Sequence, residues 1–181
     1  MAEVSNTPLE GLKLIQPRAF SDARGYFLEV YRTDQLSAYG IDDVFVQDNE
    51  AGSNRGVLRG LHYQVAPHGQ AKLVRVSSGS VFDVAVDIRE GSSTYGEWYG
   101  AIISAENKHQ LYIPPHFAHG YLVLEDNTIF NYKCGHVYTP LAEGGIRYDD
   151  PTLDIKWPKL DMPYSISEKD LHQPLLGQHF Q

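Results

Sequence analysis

Residues 81–88, VFDVAVDI, alternate with period two: Phe82, Val84, Val86 and Ile88 share one side of an extended chain, and Val81, Asp83, Ala85 and Asp87 share the other. A helix would scatter these residues around its axis, so the stretch reads as a β-strand. Similar β-branched or aromatic runs recur at 24–31 (RGYFLEVY), 44–50 (VFVQDNE), 71–78 (AKLVRVSS), 99–104 (YGAIIS), 109–114 (HQLYIP), 120–125 (GYLVLE) and 128–134 (TIFNYKC). Turn chemistry separates many of them, at Ser78-Gly79-Ser80, Pro114-Pro115, Glu125-Asp126-Asn127 and Gly144-Gly145. No helix–strand alternation of the kind a parallel α/β sheet requires is visible. The chain is therefore expected to be all-β, two antiparallel sheets in a sandwich or barrel, with the jelly roll as the version that most often holds a pocket between its sheets. Helix is confined to short peripheral pieces. One is expected over 33–40, starting at Thr33, and another over 167–172, capped by Ser167 with Asp170 three residues on.

With 42% hydrophobic residues, 181 positions suffice for one sizeable core and are too few for two ordinary domains. Residues 1–181 are read as a single domain, with the N-terminal segment and the Pro-rich tail after Trp157 as arms that wrap the domain or a partner subunit. A formal charge of -8 argues against nucleic acid or an anionic membrane as a partner, since either needs a basic field. No apolar run approaches the length of a bilayer span. The single cysteine, Cys134, has no intrachain disulfide partner, and the N-terminus lacks a signal pattern, so a reducing cytoplasm is the expected compartment.

Within this acidic chain, RGVLRGLHYQ (55–64) and QAKLVRV (70–76) concentrate cations on what read as neighbouring strands. Arg59 and Lys72, with Arg24 and Lys169 farther off, have the chemistry to receive an anion; the alternative is solvated charge on strand edges. Arg59 and His62 have an odd separation, which puts them on opposite faces unless Gly60 bends or bulges the strand. His62 suits a general base, against the alternative of a structural histidine. His116 and His119 in PPHFAHG resemble the second half of a metal-binding cupin signature. The His-x-His half is missing, because the corresponding strand reads His62-Tyr63-Gln64, so no metal is expected. Tyr132 and Tyr138 have an even separation and read as one strand face, serving either core packing or proton donation and aromatic stacking.

Five ordered blocks, RGVLRGLHYQ, GQAKLVRVSSGSVFDVAVDIR, SAENKHQLYIPPHFAHGYLVL, NYKC and GIRYDDPTLDIKWP, resemble the dTDP-4-dehydrorhamnose 3,5-epimerase family, over residues 20 to about 170. The resemblance implies a metal-independent, cofactor-free cupin-type jelly roll and a homodimer with exchanged N-terminal strands. It also implies a dTDP-4-keto-6-deoxy sugar as substrate, inverted at C3 and C5 by base abstraction and opposite-face reprotonation through an enolate. His62 would be the base, Asp170 the carboxylate that orients it, Lys72 the cation near the ketone oxygen and Tyr132 the proton donor. Asp83 is a second carboxylate for the neighbourhood of His62, because it faces away from the apolar side of its strand. Substrate-binding positions implied in the same way are Arg24, Glu29, Gln47, Asp48, Asn49, Arg59, His119, Glu143, Lys169 and Tyr138, the last stacking on thymine. Two alternatives stand beside this reading: a C3-only or diverged epimerase of another nucleotide-linked 4-keto sugar, and a non-catalytic or metal-binding cupin.

Overall fold

A computed structural model describes residues 2–179. The elements in chain order are β1 Glu3–Asn6, β2 Lys13–Gln16, β3 Ala19–Asp22, β4 Gly25–Leu28, α1 Thr33–Ser37, β5 Gln47–Ser53, β6 Leu58–Gln64, β7 Lys72–Ser78, β8 Ser80–Asp87, β9 Trp98–Ser104, β10 Gln110–Ile113, β11 Phe117–Val123, β12 Thr128–Cys134, β13 Glu143–Gly145 and α2 Glu168–Leu171. They form a six-stranded sheet ordered β1-β2-β10-β7-β12-β5 and a five-stranded sheet ordered β13-β6-β11-β8-β9, with β3 and β4 apart as a hairpin. Every pairing within these sheets is antiparallel. The result is the expected cupin-like jelly roll with short helices at its periphery.

The alternation in 81–88 holds, but both of its faces are buried. Val81 and Ala85 point between the sheets, where they join Leu111, Val74, Val76, Phe117, Val123 and Phe130 in the main core. Phe82, Val84, Val86 and Ile88 point the other way, into a second core closed by Leu153, Ile155, Trp157 and Leu176 from the C-terminal segment. Fully burying an aliphatic side chain of this size contributes about 1.5–3 kcal/mol. That segment is therefore held firmly across the outside of the five-stranded sheet, and it returns over β6, where Ser165 bridges Val57 in parallel. The tail after Trp157 thus wraps its own domain.

The N-terminal segment differs from the expected arm in its first part. β1 and β2 form a hairpin that extends the six-stranded sheet of the same chain through β10. The β3–β4 hairpin joins neither sheet, and it leaves Phe20, Tyr26 and Phe27 51%, 60% and 67% exposed. No helix among the described residues is long and apolar enough to cross a membrane.

Candidate active site

The main core is dry at one end of the sandwich and polar at the other. Around that polar end the inward-facing positions of β5, β6, β7, β11 and β12 enclose a cavity of about 730 Å³, which the C-terminal segment covers at 165–170. Its volume is that of a site for a drug-sized organic ligand.

Arg59 and His62 both line this cavity despite their odd separation. The register of β6 against β11 pairs His119 with His62 but Tyr121 with Arg59, so three steps on β6 match two on β11. This bulge absorbs the extra residue and returns both side chains to one face. Glycine is required there: Gly60 has φ +117°, and a Cβ would lie 2.5 Å from the Cα of Gly120 across the ladder.

His62 Nε2 lies 2.6 Å from Asp170 Oδ1, across 108 residues of sequence. The second carboxylate oxygen accepts from the Gly60 backbone N–H at 3.2 Å. α2 delivers this group, and Ser167 caps it as expected, its Oγ accepting from the Asp170 backbone N–H at 3.1 Å. Burial pushes the Asp170 carboxyl up, but its bonds from His62, Gly60 and Ser167 outweigh that and hold it below the usual carboxylate range. An ionised carboxylate only accepts, so Nε2 of His62 carries the proton and Nδ1 keeps its lone pair. About a third of the His62 side chain remains exposed, and the residue lines the cavity.

A second histidine–carboxylate pair stands one strand over. His119 Nε2 is 2.9 Å from Asp83 Oδ2, with 6% and 0% of the side chains exposed. This corrects the expectation that Asp83 serves His62. The face of β8 that carries Asp83 is the inner face of the sandwich, not a solvent side, and diagonal neighbours on the paired strands β8 and β11 meet there. Burial pushes His119 toward the neutral ring against the opposing pull of Asp83. Lys72 is also buried, 8% exposed, and donates to the His62 carbonyl oxygen at 3.3 Å. Burial lowers its pKa, opposed by its electrostatic interactions with Cys134, Asp83 and Glu143.

Tyr132 faces the cavity from β12, half-buried, and burial raises its phenol pKa. Tyr138 is not on that strand, because β12 ends at Cys134; it stands on the following loop at the cavity mouth. Its hydroxyl donates to Glu143 Oε2 at 2.8 Å, and Lys169 Nζ meets the same oxygen at 2.5 Å. On β5, Gln47 and Asn49 line the cavity, whereas Asp48, one residue out of phase, lies on the opposite face of the sheet against Lys133 at 2.7 Å. Arg24 and Glu29 are not brought to the cavity of their own chain. Arg24 sits in the β3–β4 turn, 90% exposed and paired with Asp22 at 2.6 Å, and Glu29 follows β4, paired with Arg32 at 3.5 Å.

Gln64 and Cys134, given no role in the sequence reading, also help build the site. Gln64 accepts from the Thr139 backbone N–H at 2.9 Å and donates to the Thr139 carbonyl at 2.8 Å, while Gln47 accepts from the Tyr138 backbone N–H at 2.8 Å. Two glutamines thus anchor the loop that presents Tyr138. The even spacing of Gln64 from His62 was the available signal. Cys134 lines the cavity beside Lys72, and burial raises its thiol pKa. No group of three or more His, Cys, Asp or Glu side chains able to hold a metal occurs among the described residues; His116 of PPHFAHG lies on an exposed turn.

The sequence profile of the dTDP-4-dehydrorhamnose 3,5-epimerase family matches residues 6–178. A dTDP-4-dehydrorhamnose 3,5-epimerase of Methanothermobacter thermautotrophicus is 50% identical over 166 residues, 91% of this chain and 89% of that protein. The crystal structure of a dTDP-6-deoxy-D-glucose-3,5-epimerase from Legionella pneumophila in complex with dTDP-4-keto-L-rhamnose superimposes with a TM-score of 0.94 at 47% identity, covering 98% of this chain and 94% of that one. A 3'-monoepimerase from Streptomyces bikiniensis, in complex with dTDP-quinovose, shares the fold at a TM-score of 0.89 and 35% identity, covering 94% and 86%.

Proposed function

Because this chain belongs to the dTDP-4-dehydrorhamnose 3,5-epimerase family, we propose how its own side chains divide the work of that reaction. The protein is an isomerase that inverts C3 and C5 of dTDP-4-dehydro-6-deoxy-D-glucose to give dTDP-4-dehydro-L-rhamnose. The C4 ketone acidifies the hydrogens on both neighbouring carbons, so each inversion needs a base on one face, an acid on the other and a counter-charge for the enolate.

Nδ1 of His62 is the base. Asp170 fixes its tautomer and balances the imidazolium formed when the proton arrives. Lys72, buried behind His62, places its ammonium near the developing enolate oxygen. Tyr132 returns a proton from the other side. The observation that carries this division is topological: His62 projects from the five-stranded sheet and Tyr132 from the six-stranded sheet into one cavity, so a sugar ring between them meets a base on one face and a phenol on the other. Tyr138, 45% exposed at the mouth, offers a flat surface for thymine, while Arg59 and Lys169 suit the diphosphate. Gln47, Asn49, His119 and Glu143 supply further polar contacts.

Arg24 and Glu29 reach a substrate only by serving another subunit. The exposed aromatic side chains of the β3–β4 hairpin support a homodimer in which this hairpin crosses to the partner's cavity. β1 and β2 pair within their own chain, so the exchanged part is the hairpin alone. Residues 1–181 act as one domain, a reading supported by a tail that lends Asp170 to the site. The buried free thiol of Cys134 accords with a reducing cytoplasm.

The test is Tyr132→Phe in heavy water, with deuterium at C3 and C5 and product stereochemistry read by NMR. Removing the donor leaves abstraction intact and lets His62 return protons to the face they left. Exchange with retained configuration should persist while inversion falls, by about 10²-fold or more. A variant that inverts as efficiently as it exchanges would show that another group is the acid.

A further inference from the structure

Two charged groups beneath the cavity lack ordinary local compensation. An ammonium carries three donors, yet Lys72 makes one hydrogen bond among the described residues, to the His62 carbonyl. Asp83 is 0% exposed; its Oδ2 accepts from His119, and its Oδ1 is buried with no hydrogen-bond partner among the described residues. A buried carboxylate with one oxygen unmatched is costly unless a nearby charge offsets it.

The neighbours of Lys72 narrow what does so. On β6 it donates to the carbonyl of His62, the residue directly paired with His119, which in turn holds Asp83; Asp83 on β8, Cys134 on β12 and Glu143 on β13 act on it electrostatically, and it acts on His119. The Cys134 thiol is raised by burial and so stays neutral. Glu143 is already engaged by Lys169 and Tyr138. His119, kept neutral by burial, adds no positive charge to offset Asp83. Lys72 and Asp83 remain as each other's uncommitted counter-charge.

We propose that Asp83 is a positioning residue for the epimerisation: its carboxylate is the standing counter-charge that keeps buried Lys72 an ammonium, and it fixes His119 as the Nε2–H tautomer, leaving Nδ1 to accept from a substrate hydroxyl. The proposal rests on the reading of Lys72 as the group that faces the enolate oxygen. A neutral amine in that place could not balance the enolate. Removing the anion should therefore make Lys72 lose its proton at lower pH, and turnover should fail on the alkaline side earlier.

Asp83→Asn keeps the shape and removes the charge. The alkaline limb of the kcat profile should move about one to three pH units lower, with KM less affected, as expected for loss of an opposite charge at close range. In a Lys72→Arg background, whose guanidinium does not titrate, the same substitution should leave the limb in place. A uniform loss of activity with a lower Tm and an unmoved limb would mean that Asp83 is only structural and would overturn the inference. Lys72→Met separates the two readings. If Lys72→Met exchanges C3 and C5 protons at the wild-type rate, the premise about Lys72 fails; if it is inactive while Asp83→Asn leaves the limb unmoved, only the role of Asp83 fails. Should Asp83→Asn not fold, ¹⁵N NMR of wild-type protein labelled at lysine and histidine decides directly. Lys72 should be an ammonium at pH 8 and His119 should carry its proton on Nε2; a neutral amine, or a proton on Nδ1, would refute the proposal.

Discussion

His62–Asp170 and His119–Asp83 are two histidine–carboxylate pairs on directly paired residues of adjacent strands, each joined through Nε2 at hydrogen-bond distance. Their surroundings set them apart. Asp170 arrives on a short helix from the C-terminal segment, both of its oxygens are satisfied, and His62 keeps about a third of its side chain open. Asp83 comes from the middle of a strand buried on both faces, one oxygen is unmatched, and His119 is almost wholly enclosed beside a lysine. The same two residue types are thus prepared for different work. The proposed base must be reachable and must tolerate becoming a cation, which His62 can do against a carboxylate that is buried but has both oxygens hydrogen-bonded. His119 stays neutral, because burial and Lys72 both oppose a second positive charge.

The comparison is broken most directly by removing each ring. His62→Asn should lower deuterium exchange at both C3 and C5 by about 10² to 10⁴, the usual contribution of one placed general base. His119→Asn should act mainly on KM, by about tenfold or less, as for one lost hydrogen bond. The reverse ranking, measured as exchange rates and KM for the two variants, would assign the base to His119.

A somewhat smaller effect should follow from Asp170→Asn, which leaves both rings in place. The amide can donate to Nε2 and so favour the tautomer with its proton on Nδ1, the atom proposed as the base. Steady-state kcat should fall by about 10²-fold or more while substrate binding is kept. An Asp170→Asn enzyme with near wild-type kcat would mean that the carboxylate does not set the tautomer.

The smallest effect tests how Asp170 is held. Ser167→Ala removes the cap of α2, worth about 0.5–2 kcal/mol to a helix end. Turnover should drop only a few-fold, with Ser167→Thr restoring it, and the His119 pair, which owes nothing to that helix, should keep its ¹⁵N signature. A loss as large as that of Asp170→Asn would show that the cap alone positions the carboxylate.

Much of this was legible in the chain before any coordinates. Period two in 81–88 and 128–134 gave β8 and β12, the Ser167–Asp170 spacing gave the cap, and the glycine between Arg59 and His62 marked the bulge. These are properties of a few consecutive residues, and backbone geometry makes them local. The ordered blocks around His62, Lys72 and Tyr132 carried the family and hence the reaction.

What the sequence alone determined, then, is which residues alternate, where the chain turns and which chemistry it carries. Only the tertiary structure decided which face of each strand became the interior. In β8 both faces are apolar enough to be buried, so alternation could not say that Asp83 points inward to His119 rather than out to solvent. Asp48 likewise looked equivalent to Gln47 and Asn49 until the β5–β12 pairing turned it to the outer face. Tyr138 left the strand of Tyr132, and Arg24 and Glu29 ended on a hairpin outside both sheets. The physical reason is that a strand pattern fixes relative orientation within one segment, whereas a burial side and a partner are fixed by closure of segments far apart, as when residue 170 meets residue 62.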